Sequence, residues 1–91
     1  MEVHVKLKEG LLLREIAGQW IVVPIGERVV EMSGIVSLTE TGALIWKELE
    51  KNASIDDIVT KIVSEYAVEP EEARANALSF IESIVEKGLT E

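Results

Sequence analysis

No cysteine occurs in the 91 residues, so the chain can form no disulfide, supply no thiolate nucleophile and hold no metal through sulfur. Histidine occurs once, as His4. A metal site or a general base needs partners, and no His/Asp/Glu pattern of ligand spacing surrounds it. Near a terminus, a solvent-exposed and inert imidazole is the simpler reading. Without a histidine beside them the serines have no activating base. The six glycines are scattered, and none has the spacing of a phosphate-cradling loop. No apolar run approaches the ~20 residues that span a bilayer. The opening MEVHVKLKEG is charged and has no signal-like apolar core. These absences predict a cytoplasmic protein with no metal, no cofactor, no membrane association and no enzymatic activity of its own.

Basic residues are also scarce. Nine Lys and Arg face 17 Asp and Glu, a net charge of −8. Residues 1–52 hold 6 basic and 8 acidic side chains, a net of −2, and residues 53–91 hold 3 and 9, a net of −6. A polyanion would meet like charge on the second half, which disfavours nucleic acid; a neutral or basic peptide is the better electrostatic match. The acidic pairs Asp56-Asp57 and Glu71-Glu72 do not read as paired catalytic carboxylates. Neighbours on a helix point about 100° apart, and both pairs fall in a first helical turn, where acids complement the dipole.

What is present is hydrophobic: 47% of the chain, enough to fold rather than stay disordered. The length allows one small domain, residues 1–91. Val3 to Lys8 alternates apolar and polar, as a strand or an extended arm would. Leu11 to Ile16 reads as a strand, Ala17-Gly18-Gln19 as a hairpin turn, and Trp20 to Val23 as the returning strand. Pro24 belongs near a strand end. Gly26-Glu27-Arg28 is a turn, Val29 to Met32 is either a short strand or an anchored loop, and Ile35 to Leu38 is a third strand.

A helix follows with almost no loop. Thr39 is a suitable N-cap, and Ala43, Ile45, Trp46 and Leu49 form a helical apolar stripe. Trp46 can bury about 200 Å² and anchors the core. Ser54 caps a second helix, whose stripe is Ile55, Ile58, Val59, Ile62, Val63 and Tyr66. Pro70 opens a third at the position where its missing amide costs nothing, and Gly88 ends it. Sheet first and helices after gives an α+β domain.

Two features of this layout suggest a surface. Trp20, Trp46 and Phe80 read most simply as core. The third helix, however, carries an apolar arc of about 160°, wide for a helix on a small sheet. One edge of it, Phe80 or the Leu78/Val85 side, either completes the core or lines a groove. In a strand order of first-second-third, Gly34-Ile35-Val36-Ser37-Leu38 forms an edge, and it carries neither the charge nor the proline that normally blunts one. Such an edge is a liability or a place where a peptide adds a strand.

The string Leu38-Thr39-Glu40-Thr41-Gly42-Ala43-Leu44-Ile45-Trp46 resembles the LNETGALIW-type signature of the PqqD family, small domains also called RiPP recognition elements. Arg14-Glu15-Ile16-Ala17-Gly18 and Val23-Pro24-Ile25-Gly26 resemble the family's front end. Glu65-Tyr66, Val68, Glu71-Glu72-Ala73, Phe80 and Glu86-Lys87-Gly88-Leu89 resemble its back end. The likeness covers roughly residues 10 to 90. Thr39 departs from the usual Asn and Glu69 from the frequent Asp, both at helix starts. The resemblance implies a three-stranded antiparallel sheet followed by three helices, arranged like a permuted winged helix-turn-helix. It implies a non-catalytic chaperone that binds the leader of a ribosomally made precursor peptide and presents it to a radical SAM enzyme. The peptide would pair with the third strand at Gly34, Ile35, Val36, Ser37 and Leu38, and pack against the third helix near Leu78, Phe80, Ile81 and Val85.

Two other readings compete: a winged-helix DNA-binding regulator, and a scaffold that forms a homodimer through its edge strand. The third helix sets Arg74 and Lys87 against Glu71, Glu72, Glu82 and Glu86, which opposes the regulator. A fluorescence anisotropy titration with duplex DNA at physiological salt is therefore expected to give no sub-micromolar, salt-sensitive binding. Such binding would establish the regulator instead.

Overall fold

A computed structural model of the chain describes residues 5–26 and 36–91. His4, the Val29 to Met32 stretch, Gly34 and Ile35 lie outside the described residues. The element order is β1 (Leu11–Ile16), β2 (Gln19–Pro24), β3 (Val36–Leu38), α1 (Glu40–Glu50), α2 (Ile55–Glu65) and α3 (Pro70–Glu86). The sheet is antiparallel in the order β1-β2-β3. The fold is thus α+β, with the three-stranded sheet preceding the three helices.

The β1–β2 hairpin closes on two residues rather than three. Ala17 and Gly18 both have positive φ, 52° and 79°, the mark of a type I′ turn, whose twist matches that of the strands it joins. Gln19 therefore belongs to β2 and pairs with Ile16. Pro24 ends β2 opposite Leu11. Val5 to Lys8 is an extended arm outside the sheet, pinned to the last residues of the chain. Leu7 bridges Thr90, Lys8 N–H donates to the Leu89 carbonyl at 3.0 Å and Glu91 N–H to the Lys6 carbonyl at 2.8 Å.

The helix ends follow from local chemistry. Thr39 Oγ1 accepts from Gly42 N–H at 3.0 Å, the N-cap bond expected of it. Ser54 and Asp57 form a reciprocal capping box, with Asp57 N–H donating to Ser54 Oγ at 3.1 Å. Glu69 caps α3 without a side-chain bond. The helix relies on Pro70 and on Glu71 and Glu72 in the first turn instead. At the other end Leu89 N–H donates to the Ile84 carbonyl and Gly88 N–H to that of Val85, both at 3.0 Å, with Gly88 at φ 75°. That is a Schellman motif, and it turns the buried Leu89 back onto the core. Asn52, at φ 61°, ends α1 in the same manner.

The core lies between the helix-facing side of the sheet and the three helices. Trp46, Ile45, Ile58, Ile62, Ile84 and Val22 are its largest fully buried side chains. Trp46 is 0% exposed, and its indole N–H has no hydrogen-bond partner among the described residues. Packing is what holds it there. Trp46→Ala is expected to cost about 3–5 kcal/mol, a large share of the stability of so small a domain. Denaturant unfolding followed by circular dichroism measures this; a loss under ~1 kcal/mol would mean that the core does not depend on Trp46.

Candidate functional site

The register of the sheet decides which backbone groups are free. In a two-residue hairpin the flanking pair, Ile16 and Gln19, exchanges both hydrogen bonds, and bonded pairs then alternate along the ladder. Arg14–Ile21 and Leu12–Val23 are bonded by that rule. One step further the Ile25 N–H does donate to the Gly10 carbonyl, at 2.8 Å. The amides of Trp20 and Val22 must then point away from β1, toward β3. Trp20 pairs with Leu38, Val22 with Val36 and Ile21 with Ser37. So Val36 and Leu38 use their backbone groups inside the sheet, whereas the Ser37 N–H and C=O point out from the open edge.

The side chains of β3 alternate in the opposite sense to this pattern of use. Val36 and Leu38 pack against the core from the helix side, and Ser37 is exposed on the other face. Of the five edge residues read from the sequence, these three carry the described part of the edge.

Phe80 stands beside the end of β3. It is half-buried and packs against the core, and its ring lies over the first turn of α1. A Cβ added at Gly42 would meet Phe80 Cε1 at 3.0 Å, Cδ1 at 3.3 Å and Thr39 Oγ1 at 3.2 Å. Glycine at position 42 is what lets the α3 ring reach the strand-to-helix junction. Around α3, Asn76, Ser83 and Lys87 share Phe80's edge at spacings of four, three and seven residues, and the Lys87 ammonium donates to Ser83 Oγ at 2.9 Å.

The other named residues of α3 sit elsewhere. Ile81 is 6% exposed and belongs to the core. Leu78 and Val85 are 40% and 50% exposed, but they lie on the opposite edge of the arc. Arg74 shares their stripe at four and eleven residues' spacing, and it bonds to Asp56 of α2 at 2.6 Å. That edge is therefore on the α2 side. Val36, Leu38 and Phe80 each pack on the core, Phe80 against the first turn of α1, while Leu78 and Val85 lie on the other edge of α3 with Arg74.

Trp20, read from the sequence as core, is only partly buried. Its ring lies under the Lys47 ammonium, 4.2 Å from the centroid. It lines an open groove with Leu38, Leu44, Lys47 and Tyr66, between the hairpin end of the sheet and α2. Leu44, Lys47 and Tyr66 carried no site signal in the sequence, since groove membership depends on elements far apart in the chain. Among the described residues no three His, Cys, Asp or Glu side chains gather to hold a metal, and no helix is long and apolar enough to cross a membrane.

The register leaves the Ser37 backbone groups free for pairing. Two proline variants test the assigned parity. Ser37→Pro is expected to fold and melt close to wild type, because no ladder bond is lost. Val36→Pro removes a donor to Val22 and strands its carbonyl, at a cost of about 1–3 kcal/mol. Thermal melts by circular dichroism distinguish the two, and the reverse order would invert the assignment of the free edge groups.

A family model described as Coenzyme PQQ synthesis protein D (PqqD) matches residues 19–89. No curated protein matches the chain. Two solved structures share its fold. TbiB1 in complex with the TbiA(beta) leader peptide aligns with a TM-score of 0.77 at 21% identity, covering 94% of each chain. Lasso peptide synthetase B1 complexed with the leader peptide aligns with a TM-score of 0.79 at 21% identity, covering 98% of this chain and 99% of that one.

Proposed function

The chain belongs to the PqqD family, and from that membership we propose that residues 1–91 act as one non-catalytic peptide-recognition domain. It binds the leader segment of a ribosomally synthesised precursor and presents it to a modifying enzyme, a radical SAM enzyme by family likeness. The observation that carries this reading is the outward-facing backbone of Ser37, on an uncharged edge strand. Backbone groups on an open edge give affinity to an added strand, and the side chains flanking it give selectivity. That both solved relatives are complexes with a leader peptide supports the same reading. The DNA-regulator alternative gains nothing from the structure, since Arg74 is engaged by Asp56.

In this reading Val36, Ser37, Leu38 and Phe80 form the described part of the peptide site, continuous with Gly34 and Ile35. Leu78 and Val85 belong to a different face, and a homodimer joined edge to edge would compete with the peptide for Ser37.

The test is calorimetry with the leader of a precursor encoded beside this protein, alongside the proline variant that keeps the fold. Wild type is expected to bind, and Ser37→Pro to bind at least about tenfold more weakly, since one or two backbone bonds are worth roughly 1 kcal/mol each and the ring adds an obstruction. Equal binding by both proteins would move the site away from β3.

A further inference from the structure

We infer that the outer face of the sheet, turned away from the helices, is the surface by which this domain docks on a partner protein, and that the partner offers it an apolar patch with a carboxylate opposite Arg14. The inference rests on the reading above in taking that partner to be the modifying enzyme to which the peptide is presented.

Residues directly opposite each other on neighbouring strands place their side chains on one face of a sheet. Val22 is fully buried, and Val36 and Leu38 pack on the core, so the residues between them face outward. Arg14, Ile21 and Ser37 form one outward row, Leu12 and Val23 a second, and Ile16 and Gln19 a third. An antiparallel sheet with one solvated face alternates apolar inside with polar outside. In β1 and β2 that alternation fails. Leu11 and Leu13 serve the core, yet Leu12 and Ile16 stand on the opposite side, and Val22 lies between the outward Ile21 and Val23. Among the described residues, the core and the side chains packed on it include none of these four outward residues. Ile16 is 56% exposed, and Ile25, next in the β2 alternation, is 45% exposed. Contiguous exposed apolar surface of this kind marks a place that another molecule covers.

Charge decides among the molecules that could cover it. Arg14 is the one charged side chain in the three rows, set between Leu12 and Ile16 along β1 and opposite Ile21. Its guanidinium donates to the Leu13 carbonyl at 3.3 Å and forms no ion pair among the described residues. Docking removes water from that cation, which costs affinity unless a carboxylate meets it. A second copy of the chain using the same face would bury two arginines and bring no acid in these rows to receive them. A nucleic acid gains affinity from many phosphate contacts, and this face has a single basic group in a chain of net charge −8. An apolar protein surface with an acidic residue satisfies both the isoleucines and the arginine. The face lies across the sheet, while the peptide is read along the edge at Ser37, so one domain can hold both at once.

The experiment is biolayer interferometry of the full chain with the purified modifying enzyme encoded beside it, with and without the leader, for wild type, Ile16→Asp and Arg14→Glu. Calorimetry of each protein with the leader, circular dichroism melts and light scattering accompany it. Both side chains are exposed, so both variants are expected to melt close to wild type and to bind the leader within about twofold of it. Each should bind the enzyme at least about tenfold more weakly than wild type. Enzyme binding unchanged in both variants would overturn the docking face and leave presentation of the peptide standing. A wild type that binds the leader but not the enzyme, with or without leader present, would overturn presentation and the docking face together. Unfolding of Ile16→Asp would mean that the face is covered within the chain, a wild-type dimer that Ile16→Asp dissociates would assign it to a second copy, and loss of leader binding in both variants would make it part of the peptide site. Each of these three results overturns the inference.

Discussion

The junction at Thr39 is the constraint that the rest of the molecule depends on. The chain leaves β3 at Leu38 and enters α1 at Glu40, so one residue must end a ladder and start a helix. Thr39 does both because its backbone is extended, at φ −73° and ψ 169°, while its hydroxyl accepts from Gly42. With no loop to absorb slack, the direction of α1 is tied to the direction of β3. That fixes where Trp46 points, and Trp46 fills the space around which the sheet, α2 and α3 close. The same turn contains Gly42, whose missing side chain admits Phe80. A core anchor and a surface feature thus originate within one helical segment.

A second constraint acts from the far side of the sheet. The two-residue turn at Ala17 and Gly18 sets which pairs of β1 and β2 exchange hydrogen bonds, and through β2 it sets which groups of β3 remain free. A turn one residue longer would shift the pairing and flip faces along a strand. The edge chemistry at Ser37 is in this sense determined some twenty residues earlier in the chain. Ala17 holds a left-handed conformation that disfavours side chains with a Cβ, and the ladder it allows offsets that strain.

Charge has a supporting part in this fold. The described ion pairs are exposed: Arg74 with Asp56, Lys61 with Glu65, Lys51 with Glu48 and Lys6 with Glu91. Pairs of this kind contribute little to stability. Their effect is to occupy basic groups on a surface already rich in carboxylates. Lys47 is the informative exception, since its ammonium lies over Trp20 and rims the groove at the hairpin end.

The sequence by itself determined the elements and most of their ends. Capping residues, Pro70, Gly88 and the apolar stripes act within a few residues of chain, so Thr39, Ser54 and the three helices were legible, as was Trp46 as the core anchor. The likeness to the PqqD family was legible too, because it lies in the order of such local signals. Only the tertiary structure decided which amphipathic edges face one another. Phe80 and the Leu78/Val85 pair bound the same apolar arc of α3, and periodicity cannot say which of them meets the start of α1 and which lies on the α2 side; the contact with Gly42 and the Arg74–Asp56 bond do. Ile81 looked available for binding and is buried, while Trp20 looked buried and lies at a groove under Lys47. The physical reason is the same throughout. Caps and turns are settled by neighbours in sequence, whereas burial and edge exposure depend on contacts between elements that the chain brings together only when it folds.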